Sequence, residues 1–187
     1  MKIVFAAVKR QQIRDFENGE INSESFLEIL TKADRVDFHQ VDRAVHVLAN
    51  DDEFSEYYDI MGGGEILAGE DGEALIIDPV YFENENGGGS VICDPAVYMT
   101  NDEIKRAADI LREIDESKFK EIFDLRMKKL TRWSFLSKGK RELKKNAADI
   151  SHYLWNEVGT LKGFYETHAE SGNFIVIFTI YENEDFG

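Results

Sequence analysis

The sequence has little cysteine and proline and no long apolar run, and each shortage excludes a class of protein. The lone Cys93 cannot form an internal disulfide, which is typical of a protein from a reducing compartment. Only 2 prolines among 187 residues argue against a disordered or linker-rich chain. The longest apolar runs, such as FIVIF at 174–178, are far shorter than the roughly 20 residues that cross a bilayer. Since no secretory signal pattern is visible, the sequence predicts a cytoplasmic protein that does not associate with membranes.

Basic residues are absent from the middle third of the chain. Between Ala44 and Ile104 there are 15 acidic residues and no Lys or Arg. The formal net charge of the whole chain is -15, so the excess of acidic residues lies in this segment. A surface of this kind repels nucleic acid and anionic lipid, and the sequence therefore predicts neither as a partner.

A basic stretch follows the acidic segment, and two interpretations of this polarity stay open. The two regions could meet and neutralise each other, or both could be solvated, in which case neither carries a function. Alternatively, the acidic segment forms one exposed face that attracts a basic protein partner. The predicted face consists of Asp51, Glu53, Glu56, Glu70, Asp71 and Glu73. The basic stretch consists of Arg126, Lys128, Lys129, Arg132, Lys138, Lys140, Arg141, Lys144 and Lys145.

Hydrophobic periodicity predicts an α+β fold in a single domain, with a mixed sheet packed against several helices. The apolar segments at 2–8 and 173–181 are the predicted principal strands. In the glycine-rich middle segment, ALII at 74–77 and SVIC at 90–93 are the best strand candidates.

Amphipathic spacing and capping residues predict the helices. One starts near Ser23, a short one lies within residues 39–51, and two follow at about 101–114 and 117–130. A long helix over about 141–170 ends at Gly172. It is expected to pack on the sheet through Tyr153, Leu154, Leu161 and Phe164.

The stretch HQVDRAVHVLAND, residues 39–51, is the nearest approach to a chemical constellation. Helical spacing places His39, Asp42 and His46 on one face, away from the apolar side of the helix. Two histidines and an aspartate are a permitted zinc ligand set. However, the three positions span about two helical turns, roughly 10 Å of rise, which is too far for all three to reach one ion. The spacing therefore favours a solvated polar face, with a contact between Asp42 and His46 and no bound cofactor.

Four collinear segments carry a resemblance to a known family. They are VDRAVHVL, the glycine-rich acidic segment, PAVYMTNDEIKRAADIL and LKGFYETHAESGNFIVIFTI. Together they resemble the bacterial YfbM-like family, a domain of unknown function. The resemblance implies an α+β fold and brings no activity, cofactor or catalytic residue. The family pattern places an aromatic before the histidine and often a second histidine three residues after it, where this sequence has Val45 and Ala49 around His46.

Signals for other chemistry are missing. The glycine clusters lack Lys and Arg, so they do not fit a phosphate cradle, and the loop at 70–73 lacks the ligand pattern of an EF-hand. Cys93 lies in an apolar strand candidate beside Asp94, an environment that raises a thiol pKa.

Two functional classes therefore remain. The first is a non-catalytic acidic module, for example an inhibitor or immunity-type protein, that covers a basic site on a partner. The second is an enzyme, or a protein that binds a small ligand or metal, with a cleft near His39, Asp42 and His46. The first is preferred, because no residue pattern that would activate a catalyst is visible.

Overall fold

The computed structural model describes residues 1–49, 56–62, 64–77, 80–83, 89–92, 94–131 and 138–181. Cys93, Asp51 and Glu53 lie outside the described residues. The chain divides into two compact units. The first comprises Met1–His39, Gly62–Ile104 and Thr167–Gly187, and the second comprises Gln40–Met61 and Lys105–Glu166. That the whole chain forms one domain stays a prediction.

The fold class is α+β, as predicted. The strands are β1 Lys2–Val8, β2 Asp34–Phe38, β3 Glu65–Ile66, β4 Val80–Glu83, β5 Gly89–Ile92, β6 Val97–Met99 and β7 Phe174–Ile180. The α-helices are α1 Arg10–Glu17, α2 Ser23–Lys32, α3 Val41–Ala49, α4 Asn101–Arg112, α5 Glu116–Thr131, α6 Lys138–Lys145 and α7 Ala147–Ser171. A 3₁₀ helix covers Glu56–Met61. No helix among the described residues is long and apolar enough to span a bilayer.

The first unit contains a five-stranded sheet in the order β2-β1-β7-β6-β3. Every neighbouring pair is antiparallel, where a mixed sheet was expected. Strands β1 and β7 pair along their whole length, from Lys2 opposite Ile180 to Val8 opposite Phe174. The prediction that these two segments share a sheet is thus confirmed, and β7 is central, as its nearly continuous apolar sequence indicates.

One face of this sheet is covered by α1 and α2. Alternate residues of β1 and β7 point toward these helices, because side chains alternate along a strand. Phe16 and Phe26 join the two helices, with ring centroids 4.8 Å apart. The core formed here includes Val4, Ala6, Val8, Ile13, Phe16, Phe26, Leu30, Val176 and Phe178. Burial of this apolar surface is the main force that stabilises the unit.

The glycine-rich segment is less regular than predicted. ALII at 74–77 forms only isolated bridges, from Ala74 to Ala68 and from Ile76 to Pro95. Pro95 has no N–H to donate, which limits strand pairing at that position. SVIC at 90–93 largely matches β5, which pairs with β4 in a separate two-stranded sheet. The sequence missed β3 and β6, which are two and three residues long.

Capping residues define the ends of several helices. The Thr100 backbone N–H donates to the Glu103 carboxylate at 2.7 Å, and the Glu103 N–H donates to the Thr100 hydroxyl oxygen at 3.4 Å, which is a capping box at the start of α4. Helix α7 ends at Ser171, followed by Gly172 at φ 70, as predicted. The Asn101 side-chain amide lies 3.3 Å, 3.2 Å and 3.4 Å from the carbonyl oxygens of His168, Ala169 and Asn173. The Asn101 amide thus contacts two carbonyls in the last turn of α7 and one just beyond the end of this helix.

The predicted long helix begins later than expected. Residues 138–171 form α6 and α7, which meet at Asn146. The Asn146 carbonyl accepts the Ile150 N–H at 3.0 Å and starts α7, a position at which asparagine is favoured. Leu154, Leu161 and Phe164 are buried as predicted, but Tyr153 is 44% exposed. Tyr153 precedes Leu154 on the helix and is rotated away from the buried stripe formed by Leu154, Val158, Leu161 and Tyr165. Packing of this helix on the sheet stays a prediction.

The second unit is helical. Helix α3 contacts both the 3₁₀ helix and α5, and α5 contacts α6. The buried Tyr165 hydroxyl donates a hydrogen bond to the Ile60 carbonyl oxygen and holds the 3₁₀ helix. Burial raises the pKa of Tyr165 well above its usual value, so the hydroxyl stays a donor. On α3, the apolar side opposite the predicted polar face consists of Val41, Ala44, Val45 and Leu48, and all four are buried.

Candidate functional site

The three residues of the predicted polar site are all exposed, as expected. His39 precedes α3, whose first residue is Val41, so the helical spacing extends only to Asp42 and His46. The imidazole Nδ1 of His46 lies 3.0 Å from the Tyr58 hydroxyl oxygen. Within the described part of the chain, no group of three or more His, Cys, Asp or Glu side chains could hold a metal ion. The geometry therefore connects His46 with the 3₁₀ helix.

Arg126 occupies a position that the sequence analysis did not single out. Although it opens the basic stretch, it is only 9% exposed. Its guanidinium Nη1 donates to the His46 carbonyl oxygen at 3.1 Å. A cation near the last turn of a helix interacts favourably with the helix dipole. The sequence does contain a signal for this burial. Arg126 follows Phe119 by seven residues and Phe123 by three, a spacing that puts it on the same helix face as these two buried side chains.

An open groove of about 590 Å³ lies among the helices of the second unit. Leu130 and Tyr153 in its lining are 45% and 44% exposed, so the groove presents large apolar side chains to solvent. Polar groups of Gln40, Arg43 and His46 also line it. The apolar lining includes Val47, Phe123, Met127, Leu130, Tyr153 and Leu154. An apolar pocket with a few polar groups is typical of a small-molecule site.

Of the three residues near which a cleft was predicted, one lines this groove. His46 lines it and Asp42 does not. Arg43, which was not singled out, is exposed and makes no hydrogen bond or ion pair within the described residues. Its lining also includes the exposed Asp149 carboxylate. The sequence could not reveal this arrangement, because it brings together residues from helices that are far apart along the chain.

Three residues of the predicted acidic face share one turn in the first unit. Glu70, Asp71 and Glu73 are exposed and lie between the bridged residues Ala68 and Ala74. The turn is held by hydrogen bonds from the Gly69 N–H to the Glu73 carbonyl at 3.0 Å and from the Glu73 N–H to the Asp71 carboxylate at 3.0 Å. We call Glu70, Asp71 and Glu73 the acidic turn.

The acidic turn borders a cavity of about 510 Å³. Phe16, Ile21, Leu27 and Ile76 also line this cavity, and Ile76 is 42% exposed. Carboxylates and apolar side chains are therefore presented side by side. No Lys or Arg within the described residues forms an ion pair with the acidic turn. Glu56, a further residue of the predicted face, is exposed at the start of the 3₁₀ helix in the second unit.

Two further titratable groups of the first unit, Tyr98 and His168, have shifted pKa values, and burial and neighbouring carboxylates explain the shifts. The Tyr98 hydroxyl donates to the Glu65 carboxylate at 2.5 Å, and its pKa is raised, first by burial and then by Glu65 and Glu17. The buried His168 imidazole lies 3.2 Å from the Asp34 carboxylate. Burial lowers the pKa of His168, and Asp34 opposes that shift. Both groups tie elements of the unit together.

Comparisons with known proteins give a family and a fold. The crystal structure of YfbM from Escherichia coli, a protein of unknown function, is similar with a TM-score of 0.58. It covers 95% of this chain and 98% of the YfbM chain at 13% sequence identity, a likeness that concerns the fold alone. The comparison with curated proteins gives no match. The family model described as a domain of unknown function, DUF1877, matches residues 1–178. The chain belongs to the YfbM-like DUF1877 family.

Proposed function

We propose that this protein is a non-catalytic binding module that recognises a basic protein partner through the acidic turn. The observation that carries the proposal is the placement of three exposed carboxylates, without a Lys or Arg partner among the described residues, at the rim of a cavity that is lined by both polar and apolar side chains. The net charge of -15 adds a long-range attraction for a basic surface.

The acidic turn and its cavity offer complementary contributions to binding. Exposed carboxylates increase the rate of association with a basic partner and orient it. The half-exposed Ile76 provides apolar surface whose burial slows dissociation. The partner segment that fits would present Lys or Arg beside an aliphatic side chain. An inhibitor or immunity-type protein that covers the basic active site of a nuclease would work in this way.

The test compares two charge-reversed variants with identical net charge. The first carries Glu70→Lys, Asp71→Lys and Glu73→Lys. The control carries Glu113→Lys, Glu121→Lys and Glu170→Lys, three exposed positions outside the cavity. An array of peptides that combine Lys or Arg with Leu or Ile serves as the probe, and association rates are measured over a salt series.

We expect the first variant to lose roughly tenfold or more in association rate with the peptides that the native chain binds, and the control to lose much less. If both variants lose the same amount, only the overall charge acts and the acidic turn is not a binding surface. If the native chain binds none of the peptides, the proposal is wrong.

The groove in the second unit favours a second candidate function, the binding of a small molecule beside His46. Its volume of about 590 Å³ lies within the range of small-molecule pockets, roughly 300 to 1,000 Å³. This candidate is the predicted cleft in a changed form, with Gln40 and Arg43 in place of His39 and Asp42. Displacement of a fluorescent apolar dye by small molecules tests it.

A further inference from the structure

We infer that the groove of the second unit binds an apolar molecule that carries one negatively charged end group. The inference rests on the second candidate function and specifies the chemistry of its ligand. The occupant is a small molecule, since the groove has a pocket's volume and its lining is mostly apolar.

The apolar part of the ligand is specified by the walls of the groove. Leu130 and Tyr153 are each more than two-fifths exposed, so an aliphatic chain that covers them removes apolar surface from water. Phe123, Met127 and Leu154 are already buried and provide a firm wall. Met127 adds an adaptable thioether side chain, which suits a flexible hydrocarbon.

The charged end is specified by the polar residues of the lining. Arg43 and Arg126 bring two guanidinium groups, and Asp149 brings the opposing carboxylate. Arg43 is exposed and forms no ion pair within the described residues, so its charge is available to a ligand. A guanidinium binds a carboxylate through two parallel hydrogen bonds, which makes Arg43 the natural contact for an acidic end group. The Gln40 side chain, which also lines the groove, adds an amide donor.

The test uses three probes with one hydrocarbon chain and different end groups: decanoate, decanol and decylamine. Isothermal titration calorimetry on the full chain gives the three affinities, with decanoate and decylamine below their micelle concentrations and decanol below its solubility limit. We expect decanoate to bind most tightly, decanol less tightly and decylamine least. The expected difference between decanoate and decanol is about fivefold, as for one exposed ion pair.

Two pairs of variants locate the binding. Arg43→Gln should remove the preference for decanoate and leave decanol binding unchanged, while Arg106→Gln, an exposed arginine outside the groove, should change neither. Leu130→Glu should weaken both probes, while Leu125→Glu, on the same helix and 50% exposed, should not. Both leucines are exposed, so these changes leave the fold intact, which circular dichroism checks.

The outcomes separate the inference from the candidate function. If decanol and decanoate bind equally and both respond to Leu130→Glu, the groove binds ligands but the inferred end group is wrong. If no probe binds, or if Leu125→Glu weakens binding as much as Leu130→Glu, both the end group and the small-molecule site are wrong. If size-exclusion chromatography shows a dimer that Leu130→Glu dissociates, a second copy occupies the groove and the inference is overturned.

Discussion

The guanidinium of Arg126 donates a hydrogen bond to the main-chain carbonyl oxygen of His46, 3.1 Å away. This bond joins α5 to the last turn of α3, beside the groove that both residues line. The histidine thus contributes its carbonyl to an internal contact and its imidazole to Tyr58. In this way His46 is a structural link between three helical elements as well as a lining residue.

Replacing Arg126 with methionine should destabilise the fold. Arg126→Met keeps an unbranched apolar stem but removes the donor to His46, a hydrogen bond from a charged group that contributes about 1.5 to 3 kcal/mol. Urea unfolding measures the loss, with Arg106→Met as the exposed control, which should change stability by less than about 0.5 kcal/mol. Equal stability of native protein and Arg126→Met would show that this contact contributes nothing.

Two glycines near the end of the chain should respond to alanine in opposite directions. Gly172→Ala should destabilise by about 1 to 2 kcal/mol, because its φ of 70 lies in the left-handed region. Gly159→Ala lies inside α7, where nothing is within 4 Å of an added Cβ, and should stabilise by about 0.5 to 1 kcal/mol. Thermal unfolding of the two variants checks both signs, and a shift in the same direction would contradict the assignment of the helix end.

Removing the Asn101 side chain should loosen the junction between α4 and the end of α7. Asn101→Ala leaves the carbonyls of His168, Ala169 and Asn173 without this donor, and we expect a loss of about 1 to 2 kcal/mol. Hydrogen exchange of the amides in the last turn of α7 should become faster, and the free energy of opening that it measures should fall by a similar amount. Unchanged exchange rates in that turn would contradict the prediction, because they would mean that water replaces the Asn101 amide without loss of stability.

The His168 and Asp34 pair should make stability depend on pH. Burial favours the neutral imidazole, so the folded-state pKa of His168 lies below the usual 6.5. The unfolded chain therefore takes up the proton first as the pH falls. Its contribution to stability is fully present above about pH 6.5 and is lost as the pH drops through that value toward the folded-state pKa.

Asp34→Asn provides the test of this linkage. Asp34 raises the pKa of His168, so its removal should lower that pKa further and make the loss of stability in acid steeper. Urea unfolding at several pH values between about 5 and 8 measures the slope, with His152→Gln, an exposed histidine on α7, as the control. A slope that Asp34→Asn leaves unchanged or makes shallower would refute the prediction.

The sequence predicted the elements in which local pattern and final burial agree. The predicted stripe Ile104, Ala107, Ala108, Leu111 and Ile114 is buried along its whole length, and of the two candidate caps Thr100 and Asn101 it is Thr100 that caps the helix. Likewise β1 and β7 pair as expected, because an apolar strand requires a covered position in a sheet. In such segments the local preference of the chain and its tertiary surroundings point to the same structure.

The sequence failed where neighbours decide the structure. Strand β6 has three residues, and its conformation follows from pairing with β7 rather than from any pattern of its own. In the sequence, Arg126 is one of several basic residues in a short stretch and is expected to be exposed, but its position on α5 places it on a buried face. The groove has no sequence signal, since α3, α5, α6 and α7 each supply part of its lining. A sequence alone does not distinguish an apolar residue that lines an open groove, such as Leu130, from one that is buried, such as Leu154.

The position of β7 between β1 and β6 has a consequence for how the sheet assembles. Val4 pairs with Phe178, so β1 cannot complete its pairing until β7, more than 160 residues later, has been synthesised. Closing so long a loop costs entropy before any contact is gained, and a high contact order slows folding. During synthesis on the ribosome, β1 and β2 can form a hairpin-like pair, but the edge that later receives β7 stays open. We expect a chaperone that binds unpaired strand edges to act on this nascent chain until residues 174–180 are released.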